Sequence, residues 1–377
     1  MRHATVLGST LAILCALGVS GCGRSEPASA PPAASTPPTA GTPSAGGSAS
    51  AGTTSGTRLY VSDETGGHVF AIDADSGQVV ETIAVGKRPR GIKLSRDGKE
   101  LLVALSGSPI AGPGVDESKL PPPDRSADGI GVIDLATHKV VRNYPSGQDP
   151  EVFDLSPDGK TLYVSNEDAA QMSVVDLTTG TITSRAAVGE EPEGVTVRPD
   201  GREIWVTCEG DNEVVAVDAA THKVIATIPT GARPRAVIFT KDGNTAFVTN
   251  ENAGLVTVVD VATHKVTSTV SIPKIEGAPA VPRPMGGVLS PDGSQLFVSL
   301  GRAGAVAVID VAARKFARTI EHVGARPWGI NISADGQKLF TANGSSGDVS
   351  VVDVATGKID RQIKTGGSPW GVVVVGK

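Results

Sequence analysis

Cysteine is scarce in this sequence, and several catalytic and cofactor motifs are missing altogether. The chain of 377 residues has three cysteines, and none stands in the Cys-x-x-Cys-His arrangement that covalent haem attachment needs. It contains no Gly-x-Ser-x-Gly nucleophile elbow and no phosphate-binding loop. A formal net charge of −6 without a basic tract argues against nucleic acid as a partner.

The first residues have the pattern of an export signal. A short basic start is followed by an apolar run from Ala4 to Val19, which is too brief for a membrane span with normal flanks. The ending Val19-Ser20-Gly21-Cys22 resembles the lipobox of bacterial lipoproteins, which implies cleavage before Cys22 and lipidation of its thiol. Ordinary cleavage beside an incidental cysteine is the alternative. We therefore expect residues 1–21 to be a lipoprotein signal peptide and the lipid to be the only membrane anchor.

The remaining cysteines and the next segment follow from this expectation. Cys15 would leave with the signal and Cys22 would carry lipid, so Cys208 stands alone and an intramolecular disulfide is excluded. We expect Cys208 to be a buried structural thiol. After Cys22, residues up to 57 are almost entirely Ala, Pro, Ser, Thr and Gly, which have little to bury, so 22–57 is predicted to be a disordered tether.

Two residue types recur along the rest of the chain at a nearly constant step, as in repeat architectures. Seven aspartates end similar apolar runs: Asp73, Asp134, Asp176, Asp218, Asp260, Asp310 and Asp353. Seven prolines keep the same spacing: Pro89, Pro150, Pro192, Pro234, Pro284, Pro327 and Pro369. One unit is about 42 residues long, with extra residues in the first and fifth intervals.

Each unit contains four short runs with strand character. In the third unit they are 194–197, 203–207, 213–217 and 223–228, and they are rich in Val, Ile and Thr. The first two runs are separated by Asp200-Gly201, and Asp-Gly predicts a hairpin because its turn requires positive φ. Because one such unit cannot bury both faces of its sheet, residues 58–377 are predicted to form an all-β, seven-bladed propeller of four-stranded antiparallel blades.

The two ends of the repeat region are out of phase, which predicts how the ring closes. Residues 58–62 match a second strand, whereas residues 371–375 match a first strand. We expect the C-terminal strand to pair into the N-terminal blade, because this removes an open sheet edge. An open stack of units is the alternative that this mismatch disfavours.

The segment Ser156 to Asn166, with Ser-Pro-Asp-Gly followed by Leu-Tyr-Val-Ser-Asn, resembles the YVTN family of β-propeller repeats. The resemblance covers nearly all of 58–377, and the Trp-Asp signal of WD40 repeats is absent. The segments 105–110 and 115–125 are similar to one subgroup, the propellers associated with pyrroloquinoline-quinone (PQQ)-dependent catabolism. This resemblance implies a periplasmic protein expressed with quinone-dependent alcohol dehydrogenases, and it carries over no catalytic residue.

Strand direction predicts which loops share a face. The prolines lead into the innermost strands, so the proline segments and the turns after the second strands lie on one face, and the Asp-Gly hairpins lie on the other. Both insertions fall on the proline face, one at about 106–127 and a shorter one around 274–281. Loops on a rigid scaffold are the usual place for binding, so we expect the ligand site on the proline face.

The residues flanking the prolines vary by sector, whereas purely structural turns would repeat one type. The residues after the prolines are Arg90, Glu151, Glu193, Arg235, Met285, Trp328 and Trp370. The residues before them are Arg88, Asp149, Glu191, Arg233, Arg283, Arg326 and Ser368. We predict a ligand-binding channel mouth made of Arg88, Arg90, Glu151, Glu193, Arg233, Arg235, Arg283, Met285, Arg326, Trp328 and Trp370. The alternative is that the charges are solvated and the tryptophans plug the channel.

A second ring of residues follows the second strands: Glu64, Ser106, Glu167, Glu209, Glu251, Gly301 and Gly344. Among them, Glu167, Glu209 and Glu251 are candidate ligands for a hard cation such as Ca²⁺, although pairing with the nearby arginines competes. His138, His222 and His264 occupy one turn position of three blades, so we interpret them as repeat copies on the opposite face. The sequence assigns no metal site and no cofactor beyond PQQ as a ligand.

Three functions remain open at this stage. The interpretation we favour is a periplasmic, membrane-anchored binding or accessory module of a PQQ-dependent alcohol oxidation system. Its ligand would be PQQ, whose three carboxylates suit arginines beside tryptophan faces, or a substrate, or a PQQ-dependent dehydrogenase or its transport components. The alternatives are a metal-dependent, lactonase-like hydrolase and a surface adhesion or scaffold protein. Enzymatic activity is left open.

Overall fold

The computed structural model describes residues 56–110 and 119–376. The predicted signal peptide 1–21, the predicted lipidation site Cys22 and the predicted tether up to residue 55 lie outside these ranges, as does the middle of the predicted insertion, 111–118. Within the described ranges, no helix combines the length and the apolar character that a membrane span requires. The structure therefore tests the predicted propeller.

The strands repeat in groups of four, and each position in the group has a constant sequence mark. The first strands all begin at a repeat proline: Pro89–Leu94 (β4), Pro150–Leu155 (β8), Pro192–Val197 (β12), Pro234–Phe239 (β16), Pro284–Leu289 (β20), Pro327–Ile332 (β24) and Pro369–Val375 (β28). The second strands are Arg58–Asp63 (β1), Glu100–Leu105 (β5), Thr161–Asn166 (β9), Glu203–Cys208 (β13), Thr245–Asn250 (β17), Gln295–Leu300 (β21) and Lys338–Asn343 (β25).

The outer two strands complete each group. The third strands all end at a repeat aspartate: His68–Asp73 (β2), Gly129–Asp134 (β6), Gln171–Asp176 (β10), Glu213–Asp218 (β14), Leu255–Asp260 (β18), Ala305–Asp310 (β22) and Asp348–Asp353 (β26). The fourth strands are Gln78–Ala84 (β3), Lys139–Tyr144 (β7), Thr181–Ala187 (β11), Val224–Pro229 (β15), Lys265–Ser271 (β19), Lys315–Ile320 (β23) and Ile359–Lys364 (β27). Two one-turn 3₁₀ helices, Arg125–Ala127 and Glu167–Ala169, lie in loops after second strands.

The described strands form seven antiparallel four-stranded sheets, and β28 closes the ring. Blade 1 contains β28, β1, β2 and β3, and blades 2 to 7 follow in chain order from β4 to β27. The C-terminal β28 pairs with β1, with Val373 opposite Tyr60. The first strand of each blade contacts the first strands of its neighbours, β28 with β24 and with β4 included. The seven-bladed, closed propeller predicted from the sequence is confirmed.

The apolar core lies between the blades. Each of seven buried clusters combines side chains from two neighbouring blades. Second and third strands are buried on both faces, which explains their near-continuous Val, Ile, Leu and Phe, whereas the fourth strands are mostly exposed. Because every blade buries its faces against others, stability depends on the complete ring.

Candidate functional site

A bulge at the start of every first strand shapes the axial end of the proline face. The pairing of first and second strands skips two residues after each proline, as between Pro192 and Val195 in β12. Bulges re-aim side chains, and here they direct the residue after the proline toward the axis. Contact between Arg235 of blade 5 and Trp328 of blade 7 shows that these side chains meet there. We call Arg90, Glu151, Glu193, Arg235, Met285, Trp328 and Trp370 the plug layer.

In five blades the next blade crowds the residue that follows the plug-layer residue. A Cβ on Gly194 would lie 2.3 Å from the carbonyl oxygen of Arg235, and a Cβ on Gly329 would lie 2.6 Å from that of Trp370. Glycine stands at this position in five of the seven blades, Gly91, Gly194, Gly286, Gly329 and Gly371. The close backbone approach near the axis that the sequence indicated is present.

Hydroxyl groups link neighbouring blades just outside the plug layer. The hydroxyl of Ser62 donates to the carbonyl of Arg90 at 2.6 Å and accepts from the amide of Gly371 at 2.9 Å. The same arrangement occurs at four other second strands, at Ser165, Thr207, Thr249 and Ser299. The sequence analysis missed this linkage, although a hydroxyl residue at the fifth place of those strands signals it.

The first charged group of the plug layer is centred on Arg90. Its guanidinium is completely buried, forms ion pairs with Asp149 and Glu151, and donates to the carbonyl of Pro150 at 2.8 Å. Arg88 pairs with Glu64 at 3.0 Å and with Asp149 at 3.6 Å. Burial lowers the pKa of Arg90; burial acts to raise the pKa of Asp149, but Arg90 outweighs it and holds that pKa below its usual range. Arg90 is therefore a structural cation that is shielded from solvent.

The second charged group is centred on Arg235 of blade 5. Its guanidinium contacts the carboxylates of Glu193, Glu209 and Glu251, the last at 2.6 Å. Arg233 also reaches Glu209, at 2.6 Å. Arg283 pairs with Glu251 at 3.0 Å and also contacts Asn252. The arginine pairing that the sequence analysis weighed against a cation site is thus realised for Glu209 and Glu251.

Burial raises the pKa of two carboxyl groups in this region. Burial raises the pKa of Glu209 to about 8, against the lowering effect of Arg233. Burial also raises the pKa of Glu167, whose carboxylate lies 3.6 Å from Arg90. Burial acts in the same direction on Glu251, but Arg235 outweighs it and keeps that pKa below its usual range. Within the described residues, no group of acidic, histidine or cysteine side chains is arranged to hold a metal ion.

Blades 6, 7 and 1 form an aromatic sector of the plug layer. The rings of Trp328 and Trp370 stack with centroids 5.5 Å apart, and the guanidinium carbons of Arg235 and Arg326 lie 4.9 and 5.1 Å from the Trp328 centroid. Arg326 is exposed, and the described residues offer it no carboxylate partner. Among the predicted mouth arginines, Arg326 is the one whose guanidinium contacts an aromatic ring and no carboxylate of the described residues.

Glycines leave the aromatic sector uncovered on the proline face. Where other blades carry second-ring side chains such as Glu167, blades 6 and 7 have Gly301 and Gly344. A Cβ on Gly344 would lie 3.6 Å from Cδ1 of Trp328, and a Cβ on Gly301 would lie 3.0 Å from Cγ of Met285. Met285 itself is buried, whereas both tryptophans are half-buried. Both indole side chains therefore keep part of their surface exposed.

Other candidates from the sequence have structural explanations. His138, His222 and His264 have φ of 53 to 56° at a turn position that three other blades fill with glycine. His264 bridges to the neighbouring blade through Glu203 at 2.9 Å. The thiol of Cys208 is buried, and burial raises its pKa to about 12. These residues have structural roles in the blades, as expected from the sequence.

Comparison with known proteins agrees with this architecture. Residues 188–375 match the family model "Lactonase, 7-bladed beta-propeller", and residues 58–234 match the choice-of-anchor I domain. Antigen Lp49 of Leptospira interrogans is 30% identical over 109 residues, which is 29% of this chain and 23% of that protein. The chain thus aligns with less than a quarter of the length of this curated relative.

Solved structures with the same fold superpose on this chain. A putative 6-phosphogluconolactonase from Bacteroides fragilis superposes with a TM-score of 0.67 at 18% identity, over 85% of this chain and 98% of that one. Kuenenia stuttgartiensis hydrazine synthase superposes with a TM-score of 0.63 at 20% identity, over 77% of this chain and 95% of that one. The protein is a seven-bladed β-propeller similar to the lactonase family over its C-terminal blades.

Proposed function

We propose that this propeller is a binding module that takes a small, planar, anionic ligand at the aromatic sector of its proline face. The observation that carries the proposal is the stacked, partly exposed pair Trp328 and Trp370, which lies beside Gly344 and next to the exposed Arg326. A planar ligand would stack on indole, and its carboxylate would pair with the guanidinium. The other mouth arginines are already paired with carboxylates, so they position the layer and are not free to bind.

Within that class, PQQ is the ligand we propose, with three carboxylates on a flat ring system. The support is the sequence resemblance of 105–110 and 115–125 together with the chemistry of the aromatic sector. In this proposal the protein is a lipid-anchored accessory module in the periplasm. It would serve a PQQ-dependent alcohol dehydrogenase or its transport components.

Tryptophan fluorescence tests the ligand directly. Trp205 is buried in blade 4 and would mask the signal, so the titration uses a Trp205→Phe background in which Trp328 and Trp370 are the reporters. Added PQQ is expected to quench this emission saturably, beyond the inner-filter loss measured with a free tryptophan amide. Arg326→Gln should weaken binding about ten-fold, because one charge-assisted hydrogen bond is lost.

The matched control is Arg302→Gln, which removes an exposed arginine from the same face next to Gly301. It should leave binding unchanged, whereas Gly344→Glu should abolish it by covering the ring. Absence of saturable quenching at about 1 mM PQQ, where binding would be worth only about 4 kcal/mol, would overturn the proposal.

Lactone hydrolysis is the second candidate, and the family match over residues 188–375 favours it. The raised pKa of Glu209, about 8, would suit a general base. Hydrolysis of 6-phosphogluconolactone above the spontaneous rate, lowered about 100-fold by Glu209→Gln, is the expected result. Glu190→Gln, an exposed carboxylate on the same face, is the control. A rate equal to spontaneous hydrolysis, with or without added divalent metal, removes this candidate.

A further inference from the structure

A cavity of about 880 Å³ lies on the propeller axis, between the plug layer and the Asp-Gly hairpins. Its floor is formed by plug-layer side chains, which are Glu193, Arg235, Met285, Trp328 and Trp370. Its other end reaches the Asp-Gly hairpins, where the lining residues Pro199, Lys241 and Pro291 are exposed. The cavity is therefore closed toward the proline face and open toward the opposite face, and its size is that of a small-molecule site.

One layer of the wall consists of the residues four places after the repeat prolines. This wall layer is Lys93, Asp154, Thr196, Ile238, Val288, Asn331 and Val373. Its polar members lean over the first strand of the next blade: Thr196 donates to the carbonyl of Val237 at 2.9 Å, and Asn331 donates to that of Val372 at 3.2 Å. These hydrogen bonds hold the wall side chains beside the open channel.

In blades 2 to 4 both the wall and the plug layer are polar, in blades 6 and 1 both are apolar, and blades 5 and 7 combine one polar and one apolar layer. In blades 2 to 4 the wall is Lys93, Asp154 and Thr196, and the plug-layer residues of those blades are charged. In blades 5, 6 and 1 the wall is aliphatic, with Ile238, Val288 and Val373. Ile238 and Val288 are half-buried, so their methyl groups still face the cavity. This cross-section of the cavity matches a ligand that has one apolar side and one polar edge.

Among the residues that line the open half of the cavity, cations outnumber carboxylates. Lys93 pairs with Asp154 at 2.9 Å, and Arg96 lies 3.7 Å from the same carboxylate. Lys241 donates to the carbonyl of Pro291, and no carboxylate among the described residues pairs with it. Its charge is available to an anion that enters from the Asp-Gly face.

We propose that the axial cavity is a second binding site, independent of the proline face, for a small amphipathic carboxylate. The apolar body would lie against Ile238, Val288 and Val373, and the carboxylate would pair with Lys241 at the entrance. Because Trp328 and Trp370 separate this cavity from the proline face, occupants of the two sites would not compete for the same space.

The fluorescent probe 1-anilinonaphthalene-8-sulfonate tests the site, because it combines an apolar body with one anionic group. We expect saturable binding of one probe per protein, with displacement by decanoate. Lys241→Glu should weaken probe binding about ten-fold, because it places a like charge at the entrance. Val288→Phe should weaken it by filling the cavity, and thermal melting shows whether each variant is folded.

Two controls make the outcomes distinct. Lys160→Glu makes the same charge change on the same face, in an Asp-Gly hairpin that does not line the cavity, and should leave the affinity within about two-fold. Gly344→Glu covers the proline-face site and should leave probe binding intact. Equal effects of Lys160→Glu and Lys241→Glu, no effect of Val288→Phe in a folded variant, or binding of several probes without saturation would overturn the proposal. The PQQ titration fails or succeeds independently of these results.

Discussion

At the scale of single residues, one position that departs from the repeat carries a buried hydroxyl without a hydrogen-bond partner among the described residues. The fourth residue of the second strand is a completely buried valine in six blades: Val61, Val103, Val164, Val206, Val248 and Val298. In blade 7 it is Thr341, whose side chain is equally buried. No hydrogen-bond partner for its hydroxyl exists among the described residues. A buried hydroxyl without a partner costs free energy, because the water that bonded it in the unfolded chain is not replaced.

We therefore predict that Thr341→Val stabilises the protein. The free energy of unfolding should rise by about 1–2 kcal/mol, because the substitution removes an unsatisfied group and keeps the shape of the side chain. Urea denaturation measures the change. The matched control is Thr249→Val, whose hydroxyl accepts from the amide of Ala236 at 3.0 Å and donates to Met285, and which should destabilise. A lower urea midpoint for Thr341→Val would contradict the prediction.

The sequence could predict which residues face the mouth, but not what each contacts there. Constant spacing placed the plug layer, because any residue after a repeat proline takes the same place in its blade. The approach of Arg235 to Trp328 joins blades that are not neighbours, so it depends on the width of the channel and on the bulges. The burial of Arg90 was likewise not predicted, because Asp149 and Glu151 reach it from the next blade.

At the scale of elements, the turns show why the repeat could be read from sequence. The aspartate that ends a third strand accepts hydrogen bonds from the turn itself, as Asp353 does from the amide and hydroxyl of Thr356. In an Asp-Gly hairpin, Asp292 accepts from Ser290 and Ser294 in the same way. These local bonds require a particular residue at a fixed offset, so they leave a signal in the sequence. The bulges of the first strands depend on packing at the axis and were not predicted.

The same turns predict sensitivity to acid. Hydrogen bonds hold the pKa of Asp292 and Asp353 at about 2, and they lower the pKa of Asp97, Asp158 and Asp176. A depressed carboxyl pKa contributes stability that is complete above the unfolded-state value of about 4 and is lost as pH falls toward 2. Groups with raised pKa are protonated in both states below pH 4, so they do not oppose this loss.

We expect the urea midpoint to fall steadily between about pH 4 and pH 2, where these carboxylates take up protons on unfolding. Asp292→Asn should make the fall shallower, because one titrating group is removed while an oxygen acceptor remains for Ser290 and Ser294. The measurement is a series of urea titrations at fixed ionic strength. A midpoint independent of pH across this interval would show that the turn bonds do not contribute.

At the scale of the whole molecule, a single asymmetry runs through a nearly symmetric ring. Blades 2 to 4 present charged side chains to the axis at the plug layer, and blades 6, 7 and 1 present Met285, Trp328 and Trp370. The wall layer has polar residues in blades 2 to 4 and aliphatic residues in blades 5, 6 and 1, with Asn331 of blade 7 between the last two. A scaffold that needed only to close its channel would have no reason to segregate these groups. Both proposed ligand sites depend on this segregation.

The polar and apolar groups surround the axis in this way only while the ring is closed. The stability of the ring therefore depends on the closing strand β28. Val372 packs in the cluster between blades 7 and 1, and Val373 packs in the cluster between blades 1 and 2. Deleting residues 369–377 should therefore expose both interfaces and abolish cooperative thermal unfolding, since each lost valine alone is worth about 1.5–3 kcal/mol. Deleting only 376–377 is the control and should unfold normally. Addition of a peptide of residues 368–377 should restore a cooperative transition, because β1 still offers the pairing edge. If the truncated protein melted like the full chain, closure by β28 would not be what holds the propeller together.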